Sequence, residues 1–158
     1  MATEEDKKKQ LVMVFSLIIE GLAKGIYDLF EDSAYSLMGT VGKDLVEIMQ
    51  KEMGFEIEGE TPDEVLNELM RIWVDEIGFF EEAKVEKTDN GWVVYGNKCK
   101  GWNLTQKILA TGVKEPFTCP VMNTMHAALE KIGVKTHMKI EPQAKVKGTK
   151  FTLTTENI

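Results

Sequence analysis

Apolar residues recur three and four apart through the first half of the chain and alternate two by two in parts of the second. The change of period divides the chain into helical and extended regions. Leu11 to Ile19 is an apolar run broken only by Ser16, and Ser16, Glu20, Lys24 and Asp28 then form one narrow polar stripe. A helix that is apolar around most of its circumference has to be covered on several sides, so a central core helix is expected here. The same surface would also suit packing against a second subunit, and Gly21 and Gly25, four apart, allow close approach of another helix. Asp32-Ser33 reads as a fresh N-cap, and Tyr35, Leu37, Met38, Val41, Leu45, Ile48 and Met49 carry a second helix to Gly54. Gly39 and Gly42 inside it point to close packing against another helix.

Thr61-Pro62-Asp63-Glu64 is a capping box with proline at the first helical position. Val65, Leu66, Leu69, Ile72 and Trp73 continue that third helix to Gly78. Val85 with its charged neighbours, Asp89-Asn90-Gly91, then Trp92 to Tyr95 spell a hairpin, its second strand leading on through Cys99 towards Trp102. A short helix over Leu104, Ile108 and Leu109 ends at Gly112, and Val113 to Phe117 is a connector. Thr118-Cys119-Pro120 starts a helix through Val121, Met122, Met125, His126, Leu129 and Ile132, closed by Gly133. Val134 to Glu141 alternates strictly, a turn region follows, and Phe151 and Leu153 alternate again in a last strand. Helices first, then a hairpin, two helices and a second hairpin define one α+β domain over residues 1–158, with N-terminal helices packed on a four-stranded antiparallel sheet made of two hairpins.

The module from Cys119 to Leu153 resembles the C-terminal part of 4-vinyl reductase domains, small hydrocarbon-binding domains found alone and in prokaryotic sensors, within the NO-signalling and Golgi-transport ligand-binding fold group. The matching residues are Cys119-Pro120, Gly133, Glu141 and Gly148 to Leu153. Some members bind zinc at positions that fall here on Cys119, Glu141, Ala144 and Thr152, so the resemblance implies a degraded zinc site of which Cys119 and Glu141 are the remnant. It also implies a small hydrophobic ligand and a non-catalytic sensor or carrier role.

Composition narrows the partners. The net charge is −7 and Arg71 is the only arginine, which disfavours direct binding to nucleic acid. Two cysteines do not make a secreted disulfide framework, so a reducing, cytoplasmic setting is expected. The apolar run is too short for a membrane span, and no cleavable signal is visible.

The candidate chemistry centres on the two thiols. Cys99 and Cys119 suit small buried hydrophobes, and Cys119, at a helix start, would gain thiolate character and suit a reactive or metal-binding role. His126 lies two helical turns on from Cys119. Trp73, Phe79, Phe80, Trp102 and Phe117 gather at element ends, and Met122 and Met125 supply adaptable walls, so these residues with Cys99, Cys119 and His126 are the expected lining of an apolar pocket. Cys-Pro can also ligate haem iron, but neither zinc nor haem is favoured. Two alternatives stay open: a thiol-dependent hydrolase, since the aminothiazoline-carboxylate hydrolases are similar in layout, and a subunit of an assembly like related membrane-trafficking components. A homodimer is expected for the ligand-binding reading.

Overall fold

The structure is a computed structural model describing residues 2–156. Helix α1 spans Glu4–Phe30 and opens with a capping box between Thr3 and Asp6. A 3₁₀ segment, Glu31–Ser36, turns the chain into α2, Leu37–Met53. The restart expected at Asp32-Ser33 therefore comes several residues later. Glu31, at φ 47, ends α1, and Ser33 serves through its carbonyl, which accepts from the Ser36 hydroxyl at 2.7 Å.

Helix α3, Pro62–Arg71, has the expected box: the Glu64 N–H donates to the Thr61 hydroxyl while the Glu64 carboxylate accepts the Thr61 N–H. It widens into a π turn over Ile72–Glu76, where the Ile77 N–H reaches back to the Ile72 carbonyl at 2.9 Å. Strands β1, Glu82–Thr88, and β2, Gly91–Asn97, form the first hairpin. Helix α4, Trp102–Ala110, and helix α5, Pro120–Lys131, follow, then β3, Thr136–Gln143, and β4, Gly148–Thr155. The strands join in one antiparallel sheet in the order β1-β2-β4-β3. The α+β architecture read from the sequence is the one observed.

Register sorts the sheet into two faces. Val85, Val94, Phe151 and Ile140 stand in one row of partners, and Trp92, Leu153 and Met138 in the next, all towards the helices. The opposite face is polar, with Lys84–Glu86, Lys139–Glu141 and Lys150–Glu141 ion pairs. Val94, Phe151 and Leu153 are buried with Leu66, Leu69, Ile72, Val121, Met122, Met125 and Leu129 of α3, its π turn and α5. Burying each such side chain contributes about 1.5–3 kcal/mol.

A second, smaller core of Ala23, Ala34, Ile108, Val113 and Phe117 joins α1, the 3₁₀ segment, α4 and the connector. Tyr35 stacks edge-on against Phe117 at 5.9 Å, its hydroxyl accepts the Glu115 N–H at 3.1 Å, and Lys114 pairs with Asp32 at 2.9 Å.

Close packing between α2 and α5 follows from Gly42: a side-chain carbon there would fall on the Asn123 carbonyl and crowd Ala127. The core helix expected at the N-terminus is not what forms. Only Ala23 of α1 is buried, and Leu11 to Phe15, Leu17 and Ile18 are each at least half exposed. The face turned to the body carries Ser16, Glu20, Ala23, Ile26 and Tyr27, so α1 points much of its apolar surface outward. The continuous helical stretch Glu4–Met53 contains a window of mean hydropathy 1.4, one helix apolar and long enough by composition to cross a membrane.

Candidate functional site

Between the two cores lies a cavity of about 330 Å³. The π turn is what brings aromatic residues to it: the widened backbone returns the Phe79 N–H to the Trp73 carbonyl at 2.7 Å, and Phe79 and Phe80 enter the cavity wall from there. The two rings meet edge-on at 5.3 Å, and Phe80 continues to Phe151 of β4 at 6.5 Å. Gly96 makes room for Phe80, since a side-chain carbon there would lie 2.6 Å from its ring. Ile140 and Thr149 supply the sheet side, Leu104 and Thr105 the α4 side, and Pro116 and Thr118 the connector side.

The remaining wall comes from Ile19, Val41 and Leu45 of α1 and α2. Ile19 is 40% and Val41 41% exposed, so this wall is also open to solvent. A larger concavity of about 540 Å³ between α2 and α5 is an open groove with Lys43, Glu47, Glu130 and Lys131 around it, poorly suited to an apolar guest.

Both thiols line the cavity. Cys99 is held by the Cys99 N–H to Lys147 carbonyl bond at 2.9 Å and the Trp102 N–H to Cys99 carbonyl bond at 3.1 Å. Burial pushes its thiol up, opposed by the N–H groups of Gly101 and Trp102. Cys119 is the N-cap residue of α5, with Pro120 just inside. It is half-buried and borders the cavity. Burial pushes its thiol up to about 12; the Met122 and Val121 N–H groups oppose this, and neighbouring Cys99 adds to the rise. The helix start therefore fails to create the thiolate expected from sequence. The loss of water outweighs the helix terminus, and both thiols are neutral at pH 7.

Of the residues singled out in the sequence, Phe79, Phe80, Cys99 and Cys119 meet at the cavity. Trp73 is buried beside it, ring to ring with Phe79 at 5.3 Å, its Nε1–H donating to Thr124 at 3.2 Å. Met122 and Met125 fill the larger core and Phe117 the smaller one. Trp102 starts α4 half-buried and is not among the lining residues. His126 faces Gly39 of α2, and its buried Nδ1 has no hydrogen-bond partner among the described residues.

Glu141 pairs with Lys139 and Lys150 on the polar face of the sheet, away from Ile140 and the cavity. Cys119 and Glu141 thus sit on opposite sides of β3. Among the described residues no group of three or more His, Cys, Asp or Glu side chains is placed to hold a metal ion.

Ile19, Val41 and Leu45 were missed because α1 and α2 read as core. Their signal was present as apolar surplus, but nothing in a period says which turn meets a void.

The α+β fold with an apolar cavity at the junction of two cores defines a class of small domain. A family model described as "Putative rubredoxin C-terminal domain" matches residues 15–156, and the chain belongs to that family. The likeness to 4-vinyl reductase domains rests on the Cys119–Leu153 residues alone. Two cysteines do not supply a four-thiolate iron site, so any such centre would need thiolates from elsewhere. Among solved structures, an unliganded ferrous H-NOX protein variant from K. algicida is similar at a TM-score of 0.44 and 15% identity, covering 79% of this chain and 64% of its own. The chain thus spans a little under two thirds of that structure. No curated protein matches.

Proposed function

We propose that the domain binds a small apolar or aromatic molecule in the cavity between its two cores and senses or carries that molecule without transforming it. The observation that carries the reading is the cavity itself, about 330 Å³, walled by Phe79, Phe80, Leu45, Leu104 and Ile140 with two neutral thiols as its soft polar points. Pockets for small molecules are mostly apolar with a few polar groups, and this one falls at the lower end of their usual size. The thiol-hydrolase alternative needs a nucleophilic thiolate, which the raised Cys119 and Cys99 thiols do not provide at neutral pH. The helices α1 and α2 that border the cavity are also the most exposed apolar elements, so occupancy would alter the surface a partner meets.

The test uses the neutral fluorophore N-phenyl-1-naphthylamine. The protein is expected to bind it with a blue-shifted, enhanced emission. Leu45→Trp, which fills the open wall, should abolish that signal, and Cys119→Ala should retain it within about threefold, a difference under 1 kcal/mol. Unchanged binding by Leu45→Trp would rule the cavity out as the site. Loss of binding in Cys119→Ala together with hydrolysis of a thioester or amide probe by the parent protein would favour the enzyme.

A further inference from the structure

We propose that a second copy of this chain lays its α1 across the exposed α1–α2 face and closes the open wall of the cavity, so that the ligand site is complete only in a dimer; this rests on the ligand-binding reading above. Leu11, Val12, Met13, Val14, Phe15, Leu17, Ile18 and Leu22 of α1 are each 50% exposed or more, and Leu37, Val41 and Ile48 extend the surface onto α2 at 37–46%. On the face that Leu11, Val14, Phe15, Ile18 and Leu22 share with those α2 residues the exposed apolar area is of order 500–700 Å², at the upper end of what a monomer ordinarily shows and approaching the ~800 Å² that one partner contributes to a stable interface.

That face is also built for a helix. Leu11, Val14, Phe15, Ile18, Gly21, Leu22 and Gly25 recur at spacings of three and four, and nothing lies within 4 Å of where a side chain on Gly21 or Gly25 would begin. An antiparallel pairing of two α1 helices about a two-fold axis near Ile18 sets Phe15 against the partner's Gly21 and Leu11 against the partner's Gly25. One surface then meets itself, large residue into gap, as a two-fold interface requires. Ile19 and Val41 connect this face to the cavity, belonging to both. A helix seated there would cover the one wall that solvent reaches and would remove water from the site.

A lipid bilayer is the other occupant such a surface invites, since the stretch Glu4–Met53 holds a window apolar enough to cross one. A second copy is favoured because Glu20, Lys24 and Asp28 break the apolar run after Ile19, and because Gly21 and Gly25 leave gaps that the large residues of another α1 fill.

The experiment measures sedimentation velocity and N-phenyl-1-naphthylamine affinity together across a dilution series, for the parent protein and for Phe15→Asp and Ile18→Asp. Both substitutions lie outside the cavity and on solvent-facing turns, so circular dichroism and the melting curve should match the parent. The parent is expected to sediment as a dimer and to bind the probe at least about tenfold more tightly than either variant, which should be monomeric. Equal probe affinity in monomer and dimer would overturn the shared site while leaving ligand binding intact. A dimer in which neither state binds the probe would instead defeat the ligand reading. A parent that stays monomeric throughout, or one that remains monomeric and floats with phosphatidylcholine vesicles, would overturn the dimer.

Discussion

Cys119 shows how much a single residue's behaviour depends on what surrounds it. Its position before Pro120 predicts an acidified thiol, yet burial in the cavity wall raises it to about 12, with Cys99 also raised beside it. The folded state therefore holds these protons more tightly than the unfolded chain. Stability from the two thiols is fully present below the ordinary thiol value of about 8.5 and is lost as the pH climbs from there towards 12. Urea midpoints taken from pH 7 to 10.5 should be flat at first and then fall, and Cys119→Ala should remove part of the fall. Identical slopes for the two proteins would show that the thiol keeps its ordinary value. At the same scale, Gly42 and Gly39 are one helical turn apart and respond oppositely to a methyl group. Gly42→Ala drives a side chain into the Asn123 carbonyl and should cost about 2 kcal/mol. Gly39→Ala meets only His126 at 3.7 Å and should gain up to about 1 kcal/mol from helix propensity, read by comparing thermal melts. Sequence legibly marked both glycines as packing positions; which of the two touches backbone is fixed by the crossing of α2 over α5.

At the scale of elements, local signals were read well where the chain itself supplies both partners. The Thr61–Glu64 box, the Asn90-Gly91 hairpin and the alternation of β3 and β4 appear as expected, because caps, turns and registers are settled within a few residues. Helix α1 was misread because periodicity reports how apolar a helix is and not whether the rest of the chain covers it; here Ser16 and Glu20 turn inward while Phe15 and Ile18 face out. The π turn was equally invisible, since it arises from where α3 meets α5 and the sheet. One buried bond anchors it: the Trp73 indole N–H donates to Thr124 of α5, whose hydroxyl itself engages the Pro120 and Val121 carbonyls. Thr124→Val keeps the shape and removes the acceptor, leaving a buried N–H unpaired, and should cost about 1–3 kcal/mol. Because Phe79 follows from the π turn, N-phenyl-1-naphthylamine affinity should weaken as well. A variant with unchanged stability would mean that Trp73 finds another partner or water.

For the whole molecule, the two cores are unequal and the cavity lies where they meet. The larger one joins α3, α5 and the sheet, whereas the smaller rests on Ala23, Ala34, Ile108, Val113 and Phe117, two of them alanines. A unit with so few buried apolar contacts opens more readily than one built on Phe151, Leu66 and Leu129, and local openings of this kind are what amide exchange measures. Native-state hydrogen exchange should therefore show the α4 amides, around Ile108, exchanging through an opening well below the global one, while β2, β4 and α5 exchange only on global unfolding. A ligand in the cavity touches both cores through Leu104 and Thr105 on one side and Phe80 and Ile140 on the other. It binds the closed form alone, so saturation with N-phenyl-1-naphthylamine at about 100 times its dissociation constant should raise the α4 opening free energy by about 2.7 kcal/mol. The gain should appear at α4 in full, because the opening of that helix destroys the site. Protection of α4 equal to that of α5 before ligand is added would show a single cooperative unit, and unchanged α4 exchange at saturation would place the ligand elsewhere.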